Sequence, residues 1–254
     1  MRGVSLASGS AGNAYLVESC GKLLLIDCGI SCRELLARMG KTGFSPCDIA
    51  GVLFTHEHAD HCKGVATFHK RFPEIGLFAN AMTAEAIGLE GDAYIFENTQ
   101  PFEVGPFAVT AFSIPHDVSD PVGFVVEAEG KTYFHATDVG SPLDSIGSRL
   151  ACADVATLES NHDYSLLMHS DRPELLKKRI SGPRGHLSND DCAALVSRFA
   201  SPKLKLLSLA HLSSECNEPK LALRMAREAL DDAGLAETGL RVLSQNAPGE
   251  VWEC

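Results

Sequence analysis

Apolar positions along the 254-residue chain fall into short runs broken by glycine, proline and polar turns. Residues 4–6, 15–18 and 22–26 read as strands, and the first two flank a small-residue loop, Ser8-Gly9-Ser10-Ala11-Gly12-Asn13. A helix is expected over 31–39, stopped by Gly40, followed by a buried strand over 48–55 and a helix over 59–72. A strand over 73–79 and a short helix over 83–89 come next. Alternating apolar residues continue through 102–104 and 107–113, then 123–128 and 131–136, the last two joined by a Glu129-Gly130 turn. After a strand over 154–158, helices are expected over 173–180 and from an N-cap at Ser188 or Asn189 to Phe199. An apolar strand over 204–210, an amphipathic helix over 218–233 ended by Gly234 and an edge strand over 240–244 complete the pattern. No repeat, low-complexity tract or linker interrupts it, so the reading is one α/β domain over residues 1–254.

The polar chemistry gathers where the 48–55 strand ends, in Thr55-His56-Glu57-His58-Ala59-Asp60-His61. A helix would splay histidines two apart by roughly 200°, so His56 and His58 are expected on a strand-to-helix loop, with Asp60 and His61 entering the helix. Imidazole with carboxylate suits zinc, manganese or iron, whereas calcium or magnesium sites are mostly oxygen. The split into a His-x-His pair and an Asp-His pair suggests two ions. Three later strands each end on one further ligand type: His116, Asp138 and His211. In open α/β arrangements ligands gather beyond the carboxyl ends of strands. The economical grouping gives one ion to His56, His58 and His116 and the other to Asp60, His61 and His211, with Asp138 bridging. Asp60 is also counted with the catalytic residues. Asp27, at the end of the 22–26 strand, is a candidate to orient the metal loop from behind, with a simple helix cap as the competing role. Ser8, Gly9, Ser10 and Asn13 are candidate substrate contacts, because Gly and Asn admit positive φ and could turn the loop's amides towards an anion.

Composition narrows the setting. Hydrophobic residues make up 45% and charged ones 22%, ordinary for a globular chain with a sizeable core. The first residues lack the apolar stretch of a signal peptide, no run approaches the ~18 residues needed to span a bilayer, and no membrane partner is expected. Nine cysteines without a Cys-x-x-Cys pair fit reduced thiols in a cytoplasm, mostly buried. A net charge of −11 argues against coating nucleic acid by bulk electrostatics, but a pair of divalent ions can still hold an anion. Locally, residues 166–205 carry eight Lys/Arg against four acids, a basic rim compatible with contacts along a nucleic-acid backbone.

The order His-x-His-x-Asp-His, then His116, Asp138 and His211, resembles the metallo-β-lactamase superfamily and implies its αββα four-layer sandwich. Leu209-Ala210-His211-Leu212-Ser213 is similar to the terminal His motif of the phosphodiesterases in that superfamily. Gly185-His186-Leu187-Ser188 resembles the element that places a non-ligand His over the scissile phosphate. These, with the 8–13 loop, His116-Asp117 followed by Asp120-Pro121-Val122-Gly123-Phe124, and Glu159-Ser160-Asn161-His162-Asp163, resemble the YycJ/WalJ-like proteins.

That resemblance implies a zinc- or manganese-dependent (or iron-dependent) hydrolase with two divalent ions. It implies 5′-to-3′ exonuclease action on double-stranded DNA, with a possible part in DNA repair, through a hydroxide bridging the two ions. His186, then His162, would serve as general acid or phosphate contact, and Ser188 would touch substrate. Only 22 positions separate His116 from Asp138 and 73 separate Asp138 from His211, too few for the long arm or extra domain of RNA-processing relatives. Competing readings are a PhnP-like phosphodiesterase of small cyclic phosphates and a regulatory protein with structural metals. Oligomeric state is left open.

Overall fold

All residues, 1–254, are described by the computed structural model, a mixed α/β chain with two compact units. The first comprises residues 1–113, 118–131 and 244–254. Its strands β1 (Arg2–Ala7), β2 (Ala14–Ser19) and β3 (Lys22–Ile26) are antiparallel, and β4 (Ile49–Leu53), β5 (Gly76–Ala79) and β6 (Ala93–Ile95) continue from β3 in parallel. With β14 (Trp252–Glu253) on the other edge, the order is β14-β1-β2-β3-β4-β5-β6. The parallel strands are buried and read as continuous apolar runs, Leu23 to Ile26 and Val52-Leu53, as strands covered by crossover helices must. Those helices are α1 (Cys32–Thr42), α2 (Ala59–Cys62), α3 (Val65–Arg71) and α4 (Ala81–Ala86).

Two helix expectations need correction. Gly40 lies inside α1, which ends instead at Gly43, in the left-handed region at φ 79° with its amide on the Met39 carbonyl. A mid-helix glycine costs about 1 kcal/mol, too little to end a helix whose Leu35 and Met39 are fully buried. The helix expected over 59–72 is two, broken at Lys63-Gly64. Gly64 donates to Cys28 O at 2.9 Å, and a Cβ there would stand 2.2 Å from Ile30 O. The chain parts at the point where it is pressed against the loop that follows β3.

An antiparallel ribbon, β7 (Pro101–Val104), β8 (Phe107–Ser113) and β9 (Val122–Ala128), completes the first unit. Phe102 stacks on Phe96 at 4.8 Å and 5° and on Phe78 of β5 at 6.0 Å, joining ribbon to sheet. Offset aromatic pairs of this kind add about 0.5–1.5 kcal/mol beyond the area they bury.

The second unit comprises residues 114–117 and 132–243. Strands β10 (Lys131–Ala136), β11 (Val155–Glu159), β12 (Leu206–Ala210) and β13 (Gly239–Val242) pair in parallel in that order. Between them run α5 (Asp144–Leu150), α6 (Tyr164–His169), α7 (Glu174–Ile180), α8 (Asn189–Phe199) and α9 (Pro219–Asp232). Helices α5 and α6, and strands β6 and β14, are too short to show a period and were not foreseen. Ser188 is the N-cap of α8, and with Asp191 it closes a capping box. No helix is long and apolar enough to cross a membrane. All nine cysteines are free, four of them buried and three exposed, fewer buried than composition suggested.

Candidate metal centre

In the first unit, β4 delivers the chain to Thr55 and the backbone leaves the strand, so His56 and His58 sit on the loop and Asp60 and His61 fall in α2. His56 and His61 are fully buried, with ring centroids 4.1 Å apart, and the His56 and His58 rings lie 4.8 Å apart. The loop is organised by Asp27, which is also fully buried. Its Oδ2 accepts His61 Nδ1–H at 2.7 Å, and its carboxylate takes the Thr55 amide at 2.9 Å and the Thr55 hydroxyl. The Thr55 oxygen is 3.1 Å from His56 Nδ1. Because Asp27 offers only acceptors, it fixes the proton of His61 on Nδ1 and leaves Nε2 as an acceptor, which Asn13 Nδ2 meets at 3.0 Å. Asp27 itself is held in the left-handed region, φ 62°, a conformation costly for a non-glycine residue. Its hydrogen bonds go to the loop, and it caps no helix, since Ser31 caps α1.

The second unit builds its cluster from separate strand ends. Asp138 follows β10, Glu159 ends β11, His211 follows β12, and His186 lies in the loop before α8. One ligand atom from each of these four lies within 4.8 Å of the others. Glu159, fully buried, is the hub: Oε1 accepts His186 Nδ1–H at 2.9 Å and His211 Nδ1–H at 2.8 Å, and Oε2 accepts the amides of Val139 at 2.7 Å and Leu187 at 3.1 Å. His116 donates Nδ1–H to Gly185 O at 3.0 Å, and Asn161 Nδ2 holds the His211 carbonyl at 2.7 Å. Asp138 and His211 are again left-handed, at φ 59° and 56°. Three strand-end residues with ligand chemistry thus share a strained backbone, the pattern expected where function selects a geometry that packing must enforce.

Electrostatics separates the histidines of this unit. Burial holds His116 and His162 below the usual imidazole range, which keeps them neutral. Burial opposes the charged form of His186 as well, but the charge and hydrogen bond of Glu159, with Asp138 adding, raise it above that range. His186 therefore favours the protonated state.

Other candidates have different surroundings. In the 8–13 loop five of the six amides are taken by acceptors of the chain itself, which corrects the anion-cradle expectation: Ser8 N donates to Ser244 O, Gly9 N to Asn13 Oδ1, Ala11 N to Gln245 Oε1, Gly12 N to Gly9 O and Asn13 N to Asp60 O. Asn13 is fully buried, with Nδ2 3.0 Å from His61 Nε2. It ties this loop to the metal loop. Of the candidate substrate contacts Ser8, Gly9, Ser10 and Asn13, Ser10 alone is exposed. Ser188 spends its hydroxyl on Asp191. His162 is buried, with its Nδ1 unpartnered. Sequence reasoning missed Glu159 and Thr55 as site residues. Glu159 stood beside His162 in a noted motif, but a lone Glu at a strand end carries no spacing signal.

The basic rim over 166–205 is largely neutralised. Arg172 pairs with Glu215, Lys177 with Glu174, Arg179 with Asp117, Arg198 with Asp144 and Lys203 with Asp154.

Residues 22–208 match the β-lactamase superfamily domain. The chain belongs to the metallo-β-lactamase superfamily, in its YycJ/WalJ-like branch. It is 32% identical over 227 residues to a protein named exodeoxyribonuclease WalJ from Streptococcus pneumoniae, covering 85% of this chain and 83% of that one. It is 30% identical over 235 residues to exodeoxyribonuclease YycJ from Bacillus anthracis, covering 90% and 89%. Among solved structures, the metallo-β-lactamase fold protein YhfI from Bacillus subtilis superposes over all of both chains with a TM-score of 0.72 at 17% identity, which shows a shared fold.

Membership in the metallo-β-lactamase superfamily implies divalent metal ions. The donor set fits them: imidazoles whose Nδ1 protons are fixed on Asp27, Gly185 O and Glu159 present Nε2, and carboxylates of Asp60 and Asp138 accompany them.

Proposed function

We propose that the chain is a metal-dependent phosphodiesterase that degrades double-stranded DNA from its ends in the 5′-to-3′ direction, as part of cytoplasmic DNA repair. One observation carries the reading beyond generic hydrolysis: a histidine outside the ligand motif, His186, is held by a buried carboxylate among ligand-type residues and favours its protonated form. That is what a leaving alkoxide needs. The names of the two relatives supply the polymer and the exonuclease action.

In this reading His56, His58 and His116 hold one divalent ion and Asp60, His61 and His211 a second, with Asp138 common to both. The assignment rests on motif order and on the donors' preparation within each unit. Zinc or manganese are the ions of choice, with iron compatible. Such ions, when bound, polarise the phosphoryl group and lower the pKa of a water towards neutrality. Glu159 accepts the His186 Nδ1–H, so in the imidazolium form Nε2–H is the proton given to the departing oxygen, a role worth about 10²–10⁴-fold. His162, neutral and buried, is placed as a phosphate contact. A single domain is part of the proposal, supported by one family match running through both units.

The test uses protein reconstituted with manganese or zinc and a 5′-labelled linear duplex, with a closed circular duplex, a single-stranded RNA and bis(p-nitrophenyl) phosphate alongside. Release of nucleotides from the linear duplex alone among the polymers is the expected result. Equal attack on RNA makes it a broad nuclease. Turnover of the small diester with no polymer cleaved overturns the exonuclease reading.

A further inference from the structure

The chain between β11 and α8 holds more than a crossover requires. One helix suffices to join two parallel strands, and α8 packs extensively enough to serve, with Cys192, Leu195 and Val196 buried. The preceding helices α6 and α7 bury little: Leu167 in the first and, in the second, only Lys177. Helix α7 has three large apolar residues, Leu175, Leu176 and Ile180, and none is buried. Leu175 is 83% exposed, the extreme among the large exposed apolar side chains. A single exposed leucine is common. With Leu176 and Ile180 half-buried beside a buried Lys177, the outward Leu175 is the one apolar position of this helix that folding does not use.

Polar links hold α7 in this orientation. Lys177 Nζ donates to Met168 O at 2.8 Å and pairs with Glu174, fixing α7 to α6. Arg172 pairs with Glu215 at 3.2 Å. At the other end Arg179 Nε donates to Asp117, and Arg184 Nε donates to His116 O at 2.8 Å, so α7 runs directly onto the loop bearing His116. Positions 175, 178 and 179 share one helical face. From Arg179 to Leu175 is four residues, about 6 Å along the axis. That face therefore carries, in order outward from the candidate metal ligand, the Asp117-bound Arg179, then Lys178, which makes no ion pair, then Leu175. Three of the five Lys/Arg over 171–184 are paired with carboxylates, Arg172 with Glu215, Lys177 with Glu174 and Arg179 with Asp117, so Lys178 is the cation this face keeps for a polyanion.

We propose that the α6–α7 arm seats the end of a nucleic-acid duplex, with Leu175 against the exposed face of the terminal base pair and Lys178 against a backbone phosphate. The inference rests on the DNA-end reading above and adds the element that recognises an end. The last base pair is the one apolar surface that a duplex presents uncovered, and an outward leucine beside a free cation on a fixed helix suits it. A closed circle offers no such surface.

The experiment measures binding as well as turnover. Metal-loaded wild type, Leu175→Asp, Lys178→Glu and Val251→Ser, an exposed apolar position elsewhere, are titrated with a fluorescent 20-base-pair duplex whose terminal linkages are phosphorothioates that resist cleavage. Anisotropy is expected to show binding about tenfold weaker for each arm variant and unchanged for Val251→Ser, with equal thermal midpoints for all four proteins. Cleavage of an unmodified duplex should show KM raised in parallel and kcat within about twofold. Lys178→Glu should also flatten the salt dependence by about one phosphate contact. Wild-type affinity in both arm variants overturns the proposal, as does an equal loss on single strands, which would make the arm a strand tracker. If wild type binds the duplex through the arm yet cleaves no DNA, the exonuclease reading fails and the arm stands. If DNA is cleaved and the arm variants bind normally, the reverse holds.

Discussion

The two units position ligand-type side chains in opposite ways. The first places four donor residues on one stretch, His56 to His61, and steadies it with one carboxylate, Asp27, acting on Thr55 and His61. The second gathers Asp138, Glu159, His186 and His211 from separate places in the chain, and one carboxylate, Glu159, holds two imidazoles and two amides at once. A contiguous loop inherits its geometry from local backbone. A dispersed cluster needs a hub. The hub should therefore be the more sensitive point.

The largest expected effect follows from that. Glu159→Gln should lower kcat on DNA by about 10³-fold or more, because the amide cannot accept from both imidazoles while also taking the Val139 and Leu187 amides. His186→Ala should lose about 10²–10³-fold with metal content unchanged. The double variant should fall no further than Glu159→Gln alone, since the residues share one network. Additive losses would show that Glu159 acts mainly through His211. Asp27→Asn should be milder: a metal affinity lower by about 10–100-fold, confined to one of two ions when metal content is measured after dialysis. Equal loss of both ions would erase the distinction between the two designs.

The same contrast explains what sequence could reveal. The His56–His61 loop was legible because its spacing alone rejects a helix and demands a strand end. His116, Asp138 and His211 were legible only as a set, each marking the end of an apolar run. Asp27 was found by its place at such an end. Glu159 ends β11 in the same way but was passed over; its four hydrogen bonds come from residues 20 to 52 positions away, as those of Asp27 come from 28 and 34, so only the fold shows which strand-end carboxylate is a hub. The 8–13 loop was misread for the converse reason: glycine predicts freedom at a turn but not which acceptors its amides find. Helix breaks erred similarly, Gly40 being tolerated by a buried face and Gly64 demanded by a backbone contact from the loop after β3.

A pH measurement sharpens the comparison further. The His186 pKa is raised in the fold, so its contribution to stability is fully present below the unfolded value near 6.5 and is lost as pH rises through the folded one. His186 by itself therefore lowers the thermal midpoint of the metal-free protein as pH rises through this window. Burial of His116 and His162 works the other way, so the informative quantity is the difference between wild type and Glu159→Gln. That difference should shrink as pH rises. A difference independent of pH would mean that Glu159 stabilises the fold through the amides of Val139 and Leu187 alone.

The smallest effect expected concerns Ser188, which sequence placed with the substrate contacts. Its hydroxyl both donates to Asp191 Oδ2 at 2.8 Å and accepts from the Asp191 amide at 3.1 Å, so its one proton is not spare for a phosphate oxygen. Ser188→Ala should cost about 1 kcal/mol, the usual loss for an N-cap, read as a lower urea midpoint at unchanged slope. Yet Leu187 N, the amide before it, belongs to the Glu159 hub, so fraying of α8 could reach the cluster. A KM on duplex DNA within error of wild type, with kcat lowered a fewfold, is the signature of a cap that steadies the hub. A raised KM at unchanged kcat would instead return Ser188 to the substrate. The two outcomes separate a residue that holds the site from one that touches what the site holds.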